Sequence, residues 1–105
     1  MFILNQDRDM ILNTQYIKQI VITDIDDNIP GEQIEAIDNQ NNRYVLGAYW
    51  YKTADNKYLA DKTHEYVKEI MCEIMLEASG YKKNNRGSGI YEYEKTKGEA
   101  YVMPL

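Results

Sequence analysis

The sequence predicts an α+β fold, an antiparallel β-sheet of about five to six strands packed on one long α-helix. Three observations carry this reading. Short β-branched runs separated by Asn-, Asp- and Gly-rich turns fill the first half of the chain. One apolar stripe at helical spacing runs through residues 60–78. The 105 residues match the commonest size of one domain and allow one core without a metal or disulfide staple, so residues 1–105 read as a single domain.

The elements follow in order. Phe2-Ile3-Leu4 and Met10-Ile11-Leu12 flank the polar Asn5-Gln6-Asp7-Arg8-Asp9, the pattern of a hairpin. Residues 16–25 make a long strand, with Ile20 and Ile22 on one face and Ile17, Gln19 and Val21 on the other. Residues 26–31, Asp-Asp-Asn-Ile-Pro-Gly, signal a turn. Residues 33–38 alternate and return as a strand. Asn39 to Asn42 turn again, and residues 43–51 form another strand, with Gly47 at a bulge or a close approach.

Thr53 stands where a helix cap belongs, and Asp55 suits the positive end of the helix dipole. The helix should span about Ala54–Ala78, with Ala60, Thr63, Val67, Ile70, Met71, Ile74 and Ala78 on its core stripe and Gly80 as its stop. Residues 79–89 read as a polar, glycine-rich loop. Ile90 to Glu94 then alternate, with Tyr91 and Tyr93 on one face, and Ala100 to Met103 close the chain as a short strand before Pro104.

The helix carries a second signal. Cys72, Met75 and Leu76 lie away from the core stripe, so the last turns are apolar on several sides. Such a helix is covered on both sides. The cover is either the C-terminal segment folding back or a second copy of the chain, and these three residues are the expected interface of a homodimer or higher homo-oligomer.

Charge excludes some partners. The net charge of −5 argues against general nucleic-acid binding, which needs clustered cations. Residues 81–97 differ: Lys82, Lys83, Arg86, Lys95 and Lys97 outnumber Glu92 and Glu94, leaving a basic island on an acidic body. No run of about 20 apolar residues exists to span a membrane. No signal-peptide pattern opens the chain, and the single cysteine cannot form an internal disulfide, so a cytoplasmic location in a host cell is expected. Ten tyrosines against one Trp and one Phe fit either a thin, half-exposed core or a contact surface for a protein or planar ligand.

Candidate sites divide unevenly. Asp24, Asp26, Asn28 and Glu35 fall at calcium-loop spacing, but Ile29 takes the place of the required glycine and the flanks read as strands. His64 is the only histidine, and Cys72 lies more than two helical turns away, so the two cannot pair as nucleophile and base. Asp26/Asp27 and Glu73/Glu77 read as solvated faces. No catalytic set, metal site or cofactor is expected. The basic segment is the best candidate for a ligand site. Lys82, Lys83 and Arg86 bring cations, Asn84 and Asn85 polar edges, Gly87 and Gly89 a close backbone, and Tyr81 and Tyr91 flanking rings.

Three stretches carry a resemblance. Residues 2–6 running to Ile11-Leu12-Asn13, then Leu46-Gly47-Ala48-Tyr49 leading through Tyr51-Lys52-Thr53, and finally Ala100-Tyr101-Val102-Met103-Pro104, cover about half the chain. The pattern resembles a group of small proteins, mostly of unassigned function, from bacterial phages, prophages and conjugative elements. It departs from them at residues 79–97, where a shorter link is usual. The outline is also similar to the Thoeris anti-defence sponges, though none of that family's ligand residues aligns here. The resemblance implies a non-enzymatic accessory protein that counters host defence by sequestering a small, cyclic nucleotide signal. The alternative is an inhibitor that blocks a host defence complex by direct contact.

Overall fold

A computed structural model describes residues 1–50, 57–87 and 89–105. Within them the chain forms β1 (Phe2–Leu4), β2 (Ile11–Asn13), β3 (Ile17–Asp26), β4 (Ile29–Asp38), β5 (Arg43–Trp50), α1 (Lys57–Ala78), β6 (Tyr81–Gly87), β7 (Ile90–Lys95) and β8 (Ala100–Val102). The predicted cap at Thr53, Asp55, the helix start at Ala54 and the strand end at Tyr51 lie outside the described residues.

The α+β class and the long helix stand. The single sheet does not. The strands divide into β2-β1-β8, β3-β4-β5 and the pair β6-β7. Alternation in a sequence says which way side chains point and leaves the neighbouring strand undetermined. Here the three-residue β1 takes β2 antiparallel on one edge and β8 in parallel on the other.

Residues 79–89 are a second correction. Within this segment Tyr81–Gly87 form strand β6, not a loop, paired with β7 from Tyr81↔Lys95 to Gly87↔Ile90. Residues 82–86 have no apolar alternation to announce a strand. Complementary cross-strand side chains accompany the pairing instead, Arg86 with Glu92 and Asn84 with Glu94. Gly89, with φ 74°, serves the turn between the strands.

One helix stripe makes the core. Val67, Ile70 and Ile74 are buried against Ile34 and Ala36 of β4, Leu46 and Tyr49 of β5, Ile3 of β1 and Met103 beyond β8. Ala60, Thr63 and Met71 are half-buried at its margins, and Ala78 is exposed, past the end of the core. Gly80 ends the helix at φ 82°, with its N–H on the Glu77 carbonyl at 3.0 Å. Gly47 meets both expectations. It sits beside a bulge in the β4–β5 register, and a Cβ there would lie 2.8 Å from the Tyr49 hydroxyl oxygen.

A polar joint fixes the small N-terminal sheet to the rest. Buried Asn5 accepts the N–H groups of Asp9 and Met10 at 3.0 Å and donates to Asp9 at 2.7 Å. Gln6 donates its backbone N–H to Leu46 and accepts that of Ala48, so the first hairpin turn continues the hydrogen bonding of β5. Arg8 reaches the Met103 carbonyl at 2.7 Å.

The resulting body measures 42 × 41 × 21 Å, with a radius of gyration of 14.7 Å against about 13 Å for a compact chain of this length. It is a plate with one thin core and broad surfaces. A core this thin has little redundancy. Ile70→Ala should therefore lower unfolding stability by about 2–5 kcal/mol, read from urea titration followed by circular dichroism. A loss below about 0.5 kcal/mol would show that the stripe is not the core.

Candidate functional site: a groove between the helix and a hairpin

The β6-β7 hairpin folds back along the outside of the last turns of α1 and leaves a groove there. One part, of about 450 Å³, is bounded by Glu73, Leu76, Tyr81, Lys83 and Tyr101. The adjoining part, of about 430 Å³, shares Glu73, Leu76 and Lys83 and adds Lys68, Glu69, Cys72 and Tyr91. The apolar far side of the helix is thus partly covered by the chain itself. Leu76 is half-buried in the groove, and Cys72 is exposed at its margin. Met75 is apart from both, 61% exposed on the flank nearest β3.

Strand alternation divides the basic residues. Lys83 lies on the groove side, its ammonium 3.9 Å from the centre of the Tyr91 ring. Tyr81 borders the same groove, and Lys82 stands at its lip. Arg86 and Asn84 are drawn away from it: the Arg86 Nε–H donates to Glu92 at 2.9 Å and the Asn84 amide donates to Glu94 at 2.7 Å. Asn85 is opposite Tyr91 in the register. Lys82, Arg86 and a tyrosine therefore do not converge on one pocket.

The groove also holds carboxylates, among them Glu73 and Glu77, whose spacing predicts a solvated face. Glu69, Glu73 and Glu77 border it from the helix, so its cations meet an equal number of carboxylates. The Tyr101 hydroxyl donates to Glu73 at 2.5 Å. Burial, then the adjacent carboxylate, pushes the Tyr101 phenol far above its ordinary pKa. It stays a neutral donor, and it holds Glu73 toward the groove. Glu73 and Glu77 are one helical turn apart, which was visible in the sequence; that β8 runs beside them was not.

The remaining candidates separate. Asp24 is opposite Glu32 on the face of β3-β4 toward the helix, while Glu35 lies on the other face, so the calcium spacing does not close into a cage. His64 is half-buried, its Nδ1 2.6 Å from Glu32, a partner more than thirty residues away that no local pattern reveals. Among the described residues, no group of three His, Cys, Asp or Glu side chains is placed to hold a metal. No helix of the described residues is long and apolar enough to cross a membrane.

Comparison of the chain with family models, with curated proteins and with solved structures gives no match.

Glu35 supplies a test of the β3-β4-β5 sheet. The Thr23 hydroxyl donates to it at 2.6 Å, the Gln33 amide at 3.0 Å, and Arg43 lies 3.5 Å away. The Thr23 bond foremost, with Gln33 and Arg43, outweighs burial and holds its carboxyl below the ordinary value. A carboxyl lowered by folding contributes stability above its unfolded pKa and loses it as pH falls through the folded one. Glu35→Gln should cost about 1 kcal/mol at neutral pH, and the difference should close in acid. A difference independent of pH would contradict the assignment.

Proposed function

We propose that this chain is a non-enzymatic binding protein that acts by direct contact with another polypeptide, taking an extended segment of it into the groove beside β8. The observation that carries this reading is the wall of the groove. Strand β8 is the edge of the β2-β1-β8 sheet, and its residues Ala100, Tyr101 and Val102 border the groove. An edge strand offers main-chain donors and acceptors to an added strand. Around it stand three carboxylates, three ammonium groups and the rings of Tyr81, Tyr91 and Tyr101. Mixed charge beside aromatic rings suits a peptide, which carries both signs and apolar side chains. A phosphate entering the same space meets Glu69, Glu73 and Glu77.

In the setting that the phage-like resemblance implies, the partner is a component of a host defence complex, and binding blocks it. Sequestration of a cyclic nucleotide is the second reading. The observation favouring it is the Lys83 ammonium over the Tyr91 ring, a cation and a stacking surface side by side.

Calorimetric and NMR titration with a panel of extended peptides of mixed charge, and in parallel with cyclic ADP-ribose isomers and cyclic oligonucleotides, separates the two. The contact reading expects peptide binding with amide shifts at Ala100–Val102, weakened about tenfold by Glu73→Ala. Saturable nucleotide binding with no response to any peptide would replace it by the second reading.

A further inference from the structure

A different surface carries a second interaction. Strand β3 is an edge of the β3-β4-β5 sheet, and its ladder with β4 runs unbroken from Gln19↔Ile37 to Asp24↔Glu32, with register shifts only at its two ends. Its middle, Ile20-Val21-Ile22, is apolar and β-branched, yet each of these residues is only half-buried. Long apolar edges promote unwanted pairing unless something covers them.

The sequence of this edge is complementary to itself. About Val21, residues 17–25 read the same in chemical character in both directions. Ile20 matches Ile22, polar Gln19 matches polar Thr23, cationic Lys18 matches anionic Asp24, and Ile17 matches Ile25. An antiparallel partner centred on Val21 therefore places Val against Val, Ile against Ile, Gln against Thr and Lys against Asp. Each unlike pair is made twice by symmetry. A second feature lies along the same edge. Exposed Met75 shares a surface dip of about 200 Å³ with Ile17, Ile20, Ile74 and Ala78.

We propose that β3 pairs with β3 of a second copy about a two-fold axis at Val21, joining two three-stranded sheets into one of six. The axis runs perpendicular to the sheet, so both helices lie on the same face, and each copy brings its Met75 flank to the seam. Lys18, which lies at the register shift and whose ammonium donates to Asn41 within its own chain, turns to Asp24 of the other copy on pairing. This surface is separate from the groove, so either can fail without the other.

Light scattering over a dilution series of the full chain should give twice the 12.3 kDa chain mass at the concentrated end. Lys18→Asp should weaken the dimer about tenfold by setting like charges opposite, and Lys18→Asp with Asp24→Lys should restore it. Register is read by oxidative cross-linking in a Cys72→Ser background. Val21→Cys should form a covalent dimer across the axis, whereas Thr23→Cys should not, because Thr23 is matched with Gln19 of the other copy. A monomer at every concentration, a dimer insensitive to the charge reversals, or cross-linking through Thr23→Cys in preference to Val21→Cys would overturn the proposal.

Discussion

The burial of Val67, Ile70 and Ile74 is the contact on which the rest of this molecule depends. One helix contributes a single stripe, and that stripe meets residues from two separate sheets. Ile34, Ala36, Leu46 and Tyr49 come from β3-β4-β5, and Ile3 comes from β2-β1-β8 with Met103 just beyond it. Neither three-stranded sheet has another apolar layer to bury against among the described residues. The hairpin β6-β7 is more dependent still. Every position of β7 is exposed, and an isolated two-stranded hairpin is at best marginally stable in water. Its order derives from the helix it lies along, together with the closing bond from the Thr96 N–H to Gly80 at 2.8 Å.

This economy has consequences for function. A core fed by one stripe leaves sheet edges and apolar side chains uncovered. Trp50, Met75, Tyr93 and Leu105 all present most of their surface to solvent. Single exposed apolar side chains are ordinary on a small domain, but Trp50 and Leu105 border one surface hollow together. The polar groups near the groove are arranged among themselves, with Arg86 on Glu92, Asn84 on Glu94 and Tyr101 on Glu73. That arrangement takes up one cation, Arg86, and sets a carboxylate, Glu73, beside the edge strand and rings that a polypeptide can use.

Local chemistry wrote part of this structure openly. The helix, its Gly80 stop and the bulge at Gly47 follow from periodicity and glycine stereochemistry, which act over a few residues. The long hairpin of β3 and β4 follows from alternation around a turn, although that turn is tighter than residues 26–31 suggest, since Ile29, Pro30 and Gly31 already belong to β4. What stayed hidden was set by distant partners. Nothing near Phe2-Ile3-Leu4 says that Ala100-Tyr101-Val102 will lie parallel to it. Nothing near His64 points to Glu32. The strand at Tyr81–Gly87 was hidden for another reason. Its residues are those of a solvated loop, and only the facing Glu92 and Glu94 make a strand of them. The basic island is plain in the sequence, but alternation places Lys83 in the groove and Arg86 outside it.

The claim that the stripe supports two sheets directly, and the β6-β7 hairpin through the helix, is open to amide hydrogen exchange in a destabilised variant such as Ile70→Val. If the stripe is the common support, amides of α1, β4, β1 and β6 will exchange through one shared opening, with protection falling by the same amount in each. Retained protection in β3-β4-β5 after the helix has exchanged would contradict it, since that sheet would then stand without the contact on which the whole account rests.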